Sequence, residues 1–134
     1  MNSKKGFTLV ELIVVIVILA ILVAALTPAI LGVISRANRS ADEADVRSIL
    51  MAAQVAALDT TPPSMPSETR IKDQLQGGNV YGGLEVHLWF DGPMAVSAVG
   101  VGSTTRSGDT VTVGRSNPTG TPGEIVKIPT STTP

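Results

Sequence analysis

Residues 12–26 are fifteen consecutive apolar side chains, and no charge falls between Glu11 and Arg36. Few structures accept such a run. About 20 apolar residues, rising about 1.5 Å each, cross a hydrocarbon core of about 30 Å. Residues 7–35 supply 29 residues with a single charge, Glu11, so the segment is long enough to span a bilayer as a helix. Lys4 and Lys5 precede it as a cationic head, which favours a cytoplasmic N-terminus and an outward-facing remainder. Arg36 and Arg39 weaken that bias, but the acidic Asp42, Glu43 and Asp45 follow at once.

Outside this block the composition is that of an ordinary soluble domain rich in Gly, Pro, Ser and Thr. The 134 residues allow one such domain and not two. No cysteine is present, which excludes a disulfide framework, a thiolate metal site and a cysteine nucleophile. A formal net charge of −1 gives no electrostatic footprint for nucleic acid. One histidine leaves little material for metal or acid–base chemistry. We therefore expect no enzymatic activity, no cofactor and no metal.

Three readings compete for the apolar segment. A secretory signal peptide would be cut after Ala25, with Val23 and Ala25 as the small residues. Its apolar region would then be longer than the usual 7–15 residues, with a carboxylate at its edge. A plain signal anchor would hold an outer domain and leave Glu11 unexplained. The third reading gives Glu11 a purpose. An ionisable group at the edge of a membrane core is costly and marks function, with a partner to be named. The α-amine that a cut after Gly6 would free on Phe7, four residues away, is a candidate.

Gly6-Phe7-Thr8-Leu9-Val10-Glu11 followed by the apolar run resembles the prepilin signature of type IV pilins and pseudopilins. The likeness covers residues 1–35 and extends with less specificity to about Leu58. It implies a leader, residues 1–6, removed by a membrane aspartic protease, the prepilin peptidase, between Gly6 and Phe7. It also implies N-methylation of Phe7, a helix at residues 7–35 that sits in the cytoplasmic membrane and then in a filament core, and a head at residues 36–134. Glu11 would pair with the amine of Phe7, commonly on an adjacent subunit. The implied partners are other copies of the chain, the peptidase, the assembly platform and, before assembly, the lipid bilayer. The destination is an extracellular filament.

Pro28 lies inside the apolar helix and leaves the carbonyl of Ala24 without a donor. Gly32 adds a second weak point, so a kink is expected at Pro28 and Gly32. The resemblance adds the idea of a segment that stretches or melts during assembly. From Arg36 the pattern turns amphipathic: Val46, Ile49, Leu50, Ala53 and Ala57 share one helical face. The stripe suits a covering sheet better than a coiled-coil seam. Asp42, Glu43 and Asp45 read as a solvated face, with pairing to a neighbouring subunit as the alternative. The expected fold is α+β and pilin-like, a long helix to about Leu58 on a small antiparallel sheet.

After the proline-rich loop at 60–66, Ser67 is expected to cap a short helix to Gln76, stopped by Gly77. Strands are expected at residues 84–90, 94–101, 110–113 and 124–128, with Asp91-Gly92-Pro93 as a turn, loops at 103–108 and 115–123, and a tail at 129–134. Alternation places Leu84, Val86, Leu88 and Phe90 on one face and Glu85, His87 and Trp89 on the other. His87 reads as a surface strand residue, since no second metal ligand has suitable spacing. Trp89 is either an exposed contact or covered by the loop at 103–108. Asn38-Arg39-Ser40 fits a glycosylation sequon, a tripeptide common by chance.

The functional expectation is a structural subunit of a type IV pilus. One alternative is a major pseudopilin of a secretion or DNA-uptake system, although no acidic loop resembles the calcium site of secretion pseudopilins. Another is a signal-anchored binding protein that never polymerises. The lack of cysteine departs from the many pilins with a C-terminal disulfide loop, and puts any receptor-binding role of such a loop in doubt.

Overall fold

The computed structural model describes residues 6–75, 80–115 and 121–128. Two compact units divide the chain, Met1–Ser35 and Arg36–Pro134. One helix, α1 (Leu9–Leu58), contributes to both. Its first part is apolar all round and exposed all round: every side chain from Leu9 to Ala37 is open, and Phe7, just before the helix, keeps 87% of its surface. By length and composition this stretch can cross a membrane. The helix assignment runs through Pro28 and Gly32 without a break. Immediately before Pro28, the Thr27 hydroxyl donates to the Val23 carbonyl, one turn back, at 2.8 Å.

In the second unit α1 acquires a core face. All five residues of the expected stripe are buried, and Ala52 and Ala56 join them. Opposite lies a four-stranded antiparallel sheet of β1 (Glu85–Asp91), β2 (Met94–Gly100), β3 (Val111–Gly114) and β4 (Thr121–Lys127), in the order β3-β2-β1-β4. Leu84, Val86, Leu88, Phe90, Ala98, Val111, Val113 and Val126 complete the core. The chain is therefore α+β, a long apolar N-terminal helix whose later part packs on a small sheet. A side chain at Gly100 of β2 would bring its Cβ within 2.9 Å of Val46 Cγ2. Gln54 adds one polar tie from the helix, donating to the Ala95 carbonyl at 3.0 Å.

Several boundaries differ from expectation. The helix begins at Leu9 rather than Phe7, because Thr8 caps it. The short helix α2 spans Glu68–Gln74, and Ser67 precedes it in extended conformation without making the expected side-chain cap bond. The adjacent Glu68 ties the helix elsewhere, accepting from Lys72 Nζ at 2.6 Å and from the Lys127 amide at 3.2 Å. The expected end at Gln76 and Gly77, the leader residues 1–5 and the tail at 129–134 lie outside the described residues. The fourth strand starts at Thr121, three residues before the expected Glu124. Pro122 and Gly123 read as breakers in sequence, yet β4 is a sheet edge, where a missing N–H costs no ladder bond.

Trp89 stands on the sheet face turned away from α1, half-buried, with its ring centroid 6.4 Å from that of His87. The loop at 103–108 folds to the α1 side instead, so it does not cover Trp89. Trp89→Ala in a head comprising residues 36–134 should keep a cooperative thermal melt with its midpoint nearly unchanged, because surface changes typically stay within about 0.5 kcal/mol. Loss of that melt would show that the outer face carries core packing.

Candidate functional site

The N-terminal motif occupies a single turn. Gly6, Phe7 and Thr8 stand outside the helix, and nothing lies within 4 Å of where a Gly6 Cβ would be. The first helical bond runs from the Leu12 amide to the Thr8 carbonyl at 3.3 Å, which makes Thr8 the N-cap. The Thr8 hydroxyl oxygen accepts from the Glu11 amide at 3.3 Å. In return the Glu11 carboxylate accepts from the Thr8 amide at 3.0 Å and from its hydroxyl at 2.9 Å. This is a reciprocal capping box. The chain holds Thr-x-x-Glu at the spacing such a box needs, so the feature was open to view in the sequence. In the uncut chain the Phe7 nitrogen is an amide, and the Glu11 carboxylate is engaged by Thr8. Pro28 and Gly32 lie one turn apart, well along the same helix, and take no part in this arrangement.

Comparison with known proteins fits this geometry. Residues 1–27 match the family described as the prokaryotic N-terminal methylation motif. The chain carries the type IV prepilin-like signature. That signature and an exposed apolar helix long enough to cross a membrane fit a membrane-anchored precursor of pilin-like type. The prepilin-like signature covers the first fifth of the chain. No curated protein and no solved structure matches the chain significantly.

A second constellation corrects the reading of the acidic cluster. Asp42 is 0% exposed and Asp45 nearly as buried. Both face the loop between β2 and β3 rather than solvent. Asp42 Oδ1 accepts from the Arg106 amide at 2.9 Å, and Oδ2 accepts from the Ser107 amide at 2.8 Å and from its hydroxyl. Asp45 Oδ2 lies 2.7 Å from Arg106 Nη2 and accepts from the Tyr81 amide at 3.0 Å. The Arg106 guanidinium sits 4.6 Å from the centroid of the Tyr81 ring. Its other terminal nitrogen, Nη1, is 3.7 Å from Asp42 and has no hydrogen-bond partner among the described residues. Only Glu43 of the cluster resembles a surface residue, pairing with Arg39 at 3.6 Å. The two aspartates, three residues apart on one helix face, form an ionic lock within the head.

His87 Nε2 lies 3.2 Å from Glu85 Oε1, and Lys127 Nζ is 3.3 Å from the other oxygen of that carboxylate. Among the described residues no three His, Cys, Asp or Glu side chains gather as a metal site would require.

Burial alone would raise the Asp42 carboxyl. The Ser107 hydroxyl and amide, the Arg106 amide and the Arg106 charge outweigh it and hold Asp42 below the usual carboxylate range. The folded state therefore binds this proton less readily than the unfolded chain, whose aspartates titrate near about 3.9. The stabilisation is complete above that range and is lost as pH falls through the lower folded value. The head's melting temperature should change little between about pH 7 and 5 on this account and fall below about pH 4. An Asp42→Asn head should show a shallower fall. Parallel pH profiles for the two would remove Asp42 as the cause.

Proposed function

We propose that this chain is a structural subunit of a type IV pilus. The observation that carries the reading is the Gly6-Phe7…Glu11 signature placed directly before a helix that is apolar and exposed on every side. Among the described residues of the Met1–Ser35 unit no large apolar side chain is buried, so the unit needs lipid or other helices around it. A membrane serves before assembly, and the equivalent helices of other copies serve in a filament. Prepilin peptidase cuts between Gly6 and Phe7 and methylates the new amine. Glu11 then exchanges its capping partner for the ammonium of Phe7, its own or a neighbour's. A subunit inserted at the wrong height would leave both charges unpaired in an apolar setting, so the pair selects register more than it adds stability. Pro28 and Gly32 provide the weak points through which the helix adapts. The chain itself performs no catalysis.

Removal of residues 1–6 takes away Lys4 and Lys5, leaving 8 basic against 11 acidic side chains, or −3. The mature protein should start at Phe7 and carry one added methyl group in intact-mass analysis of surface material sheared from cells. Electron microscopy of the same material should show filaments built from it. A chain starting at Met1 or Leu26 would overturn the prepilin reading. A correctly cut chain confined to the membrane, with no sheared filament, would instead favour a pseudopilin.

A further inference from the structure

We infer that Thr8 is a positioning residue for the cut between Gly6 and Phe7, acting through the cap it builds with Glu11. The inference rests on the prepilin reading above. In the cut, water adds across the peptide bond. The Gly6 carbonyl carbon gains the oxygen and becomes a carboxylate, while the Phe7 nitrogen gains a proton and becomes the free amine. A hydrolase needs the carbonyl open to attack from one side, with the flanking chain extended. Inside a helix that carbonyl is hydrogen-bonded and its faces are crowded by neighbouring side chains.

Here the helix stops just short of the bond. Leu9 is its first residue, and Gly6, Phe7 and Thr8 are outside it. The stop is chemical. Thr8 Oγ1 satisfies the Glu11 amide, and the Glu11 carboxylate satisfies the Thr8 amide, so two of the donors left open at a helix start are filled at this position. Little else opposes a further turn. Phe7 tolerates helical conformation, Gly6 resists it by only about 1 kcal/mol, and Ser3 is the next residue upstream of Thr8 with a strong capping side chain. A helix recapped at Ser3 would carry the Gly6–Phe7 bond within its first turn. The hydroxyl of Thr8 thus keeps the bond in open chain. The Glu11 carboxylate supplies the second arm, so Glu11→Ala keeps the hydroxyl arm and remains a substrate.

The test uses the full chain in detergent micelles with active prepilin peptidase, reading the initial rate of leader release. Thr8→Val keeps the shape and removes the hydroxyl. It should be cut about five- to tenfold more slowly, as expected for a lost cap. Thr8→Ser and Thr8→Asn both retain capping chemistry and should be cut at the parent rate. Backbone carbon shifts should turn helical at Phe7 in Thr8→Val alone. Equal rates for Thr8→Val and the parent would overturn the inference. So would a slow Thr8→Asn whose shifts show an intact cap, since the enzyme would then be reading threonine itself. If the parent chain is not cut at this bond by an enzyme that cuts a control substrate, the prepilin reading fails with it.

Discussion

Asp42→Ala in the isolated head is expected to abolish most of its cooperative unfolding transition. The carboxylate is fully buried and accepts from two amides and a hydroxyl of the 106–107 segment. Its removal strands those donors and leaves the Arg106 guanidinium with Asp45 as its one remaining counter-charge in the lock. Breaking a buried pair from one side costs about 3–5 kcal/mol. Domains of this size hold about 5–15 kcal/mol in total, and a head without disulfides and with few aromatics belongs near the lower end. The substitution therefore removes a majority of the margin. Removing Arg106 as well should restore none of it, because Arg106 still pairs with Asp45 at 2.7 Å and its loss would strand that second buried carboxylate. Urea titration followed by circular dichroism reads both effects. A midpoint equal to the parent's would show that the loop is held by its backbone alone.

Glu11→Ala is expected to separate processing from assembly. The leader should still leave at Gly6, because the carboxylate takes no part in that chemistry beyond one arm of the cap. Filament yield should fall about tenfold or more, since the Phe7 ammonium then lacks a partner in an apolar setting. The measurement is the ratio of sheared to membrane-bound mature chain on an immunoblot. Normal yield would remove the pairing argument and leave Glu11 with its capping role alone.

How far the sequence revealed this molecule depended on the distance over which each cause acts. The stripe Val46, Ile49, Leu50, Ala53 and Ala57 was legible because helical periodicity is local, and all five residues are buried. Alternation along residues 84–90 likewise named the core face of β1. The roles of Asp42 and Asp45 were not legible. Their partner Arg106 lies 64 and 61 positions away, and charged residues on a helix ordinarily face water. The start of β4 was hidden by Pro122 and Gly123, whose local preference is overruled by pairing of Thr121 with Phe90 and of Pro122 with Trp89. The Thr8–Glu11 box was legible by spacing, but the prepilin signature contains the same two residues and drew attention to Glu11 alone.

The exposed first part of α1 has a consequence for how the chain tolerates change. No described residue before Asn38 is buried. Effects of substitutions in the two regions on head stability should combine as nearly independent terms. On the pilus reading proposed above, the head can vary its sheet, loops and ionic lock while the residues that would meet neighbouring helices stay the same. The anchoring segment can stay fixed in sequence while carrying different heads. Such separability lets one export and assembly route serve surfaces of quite different chemistry.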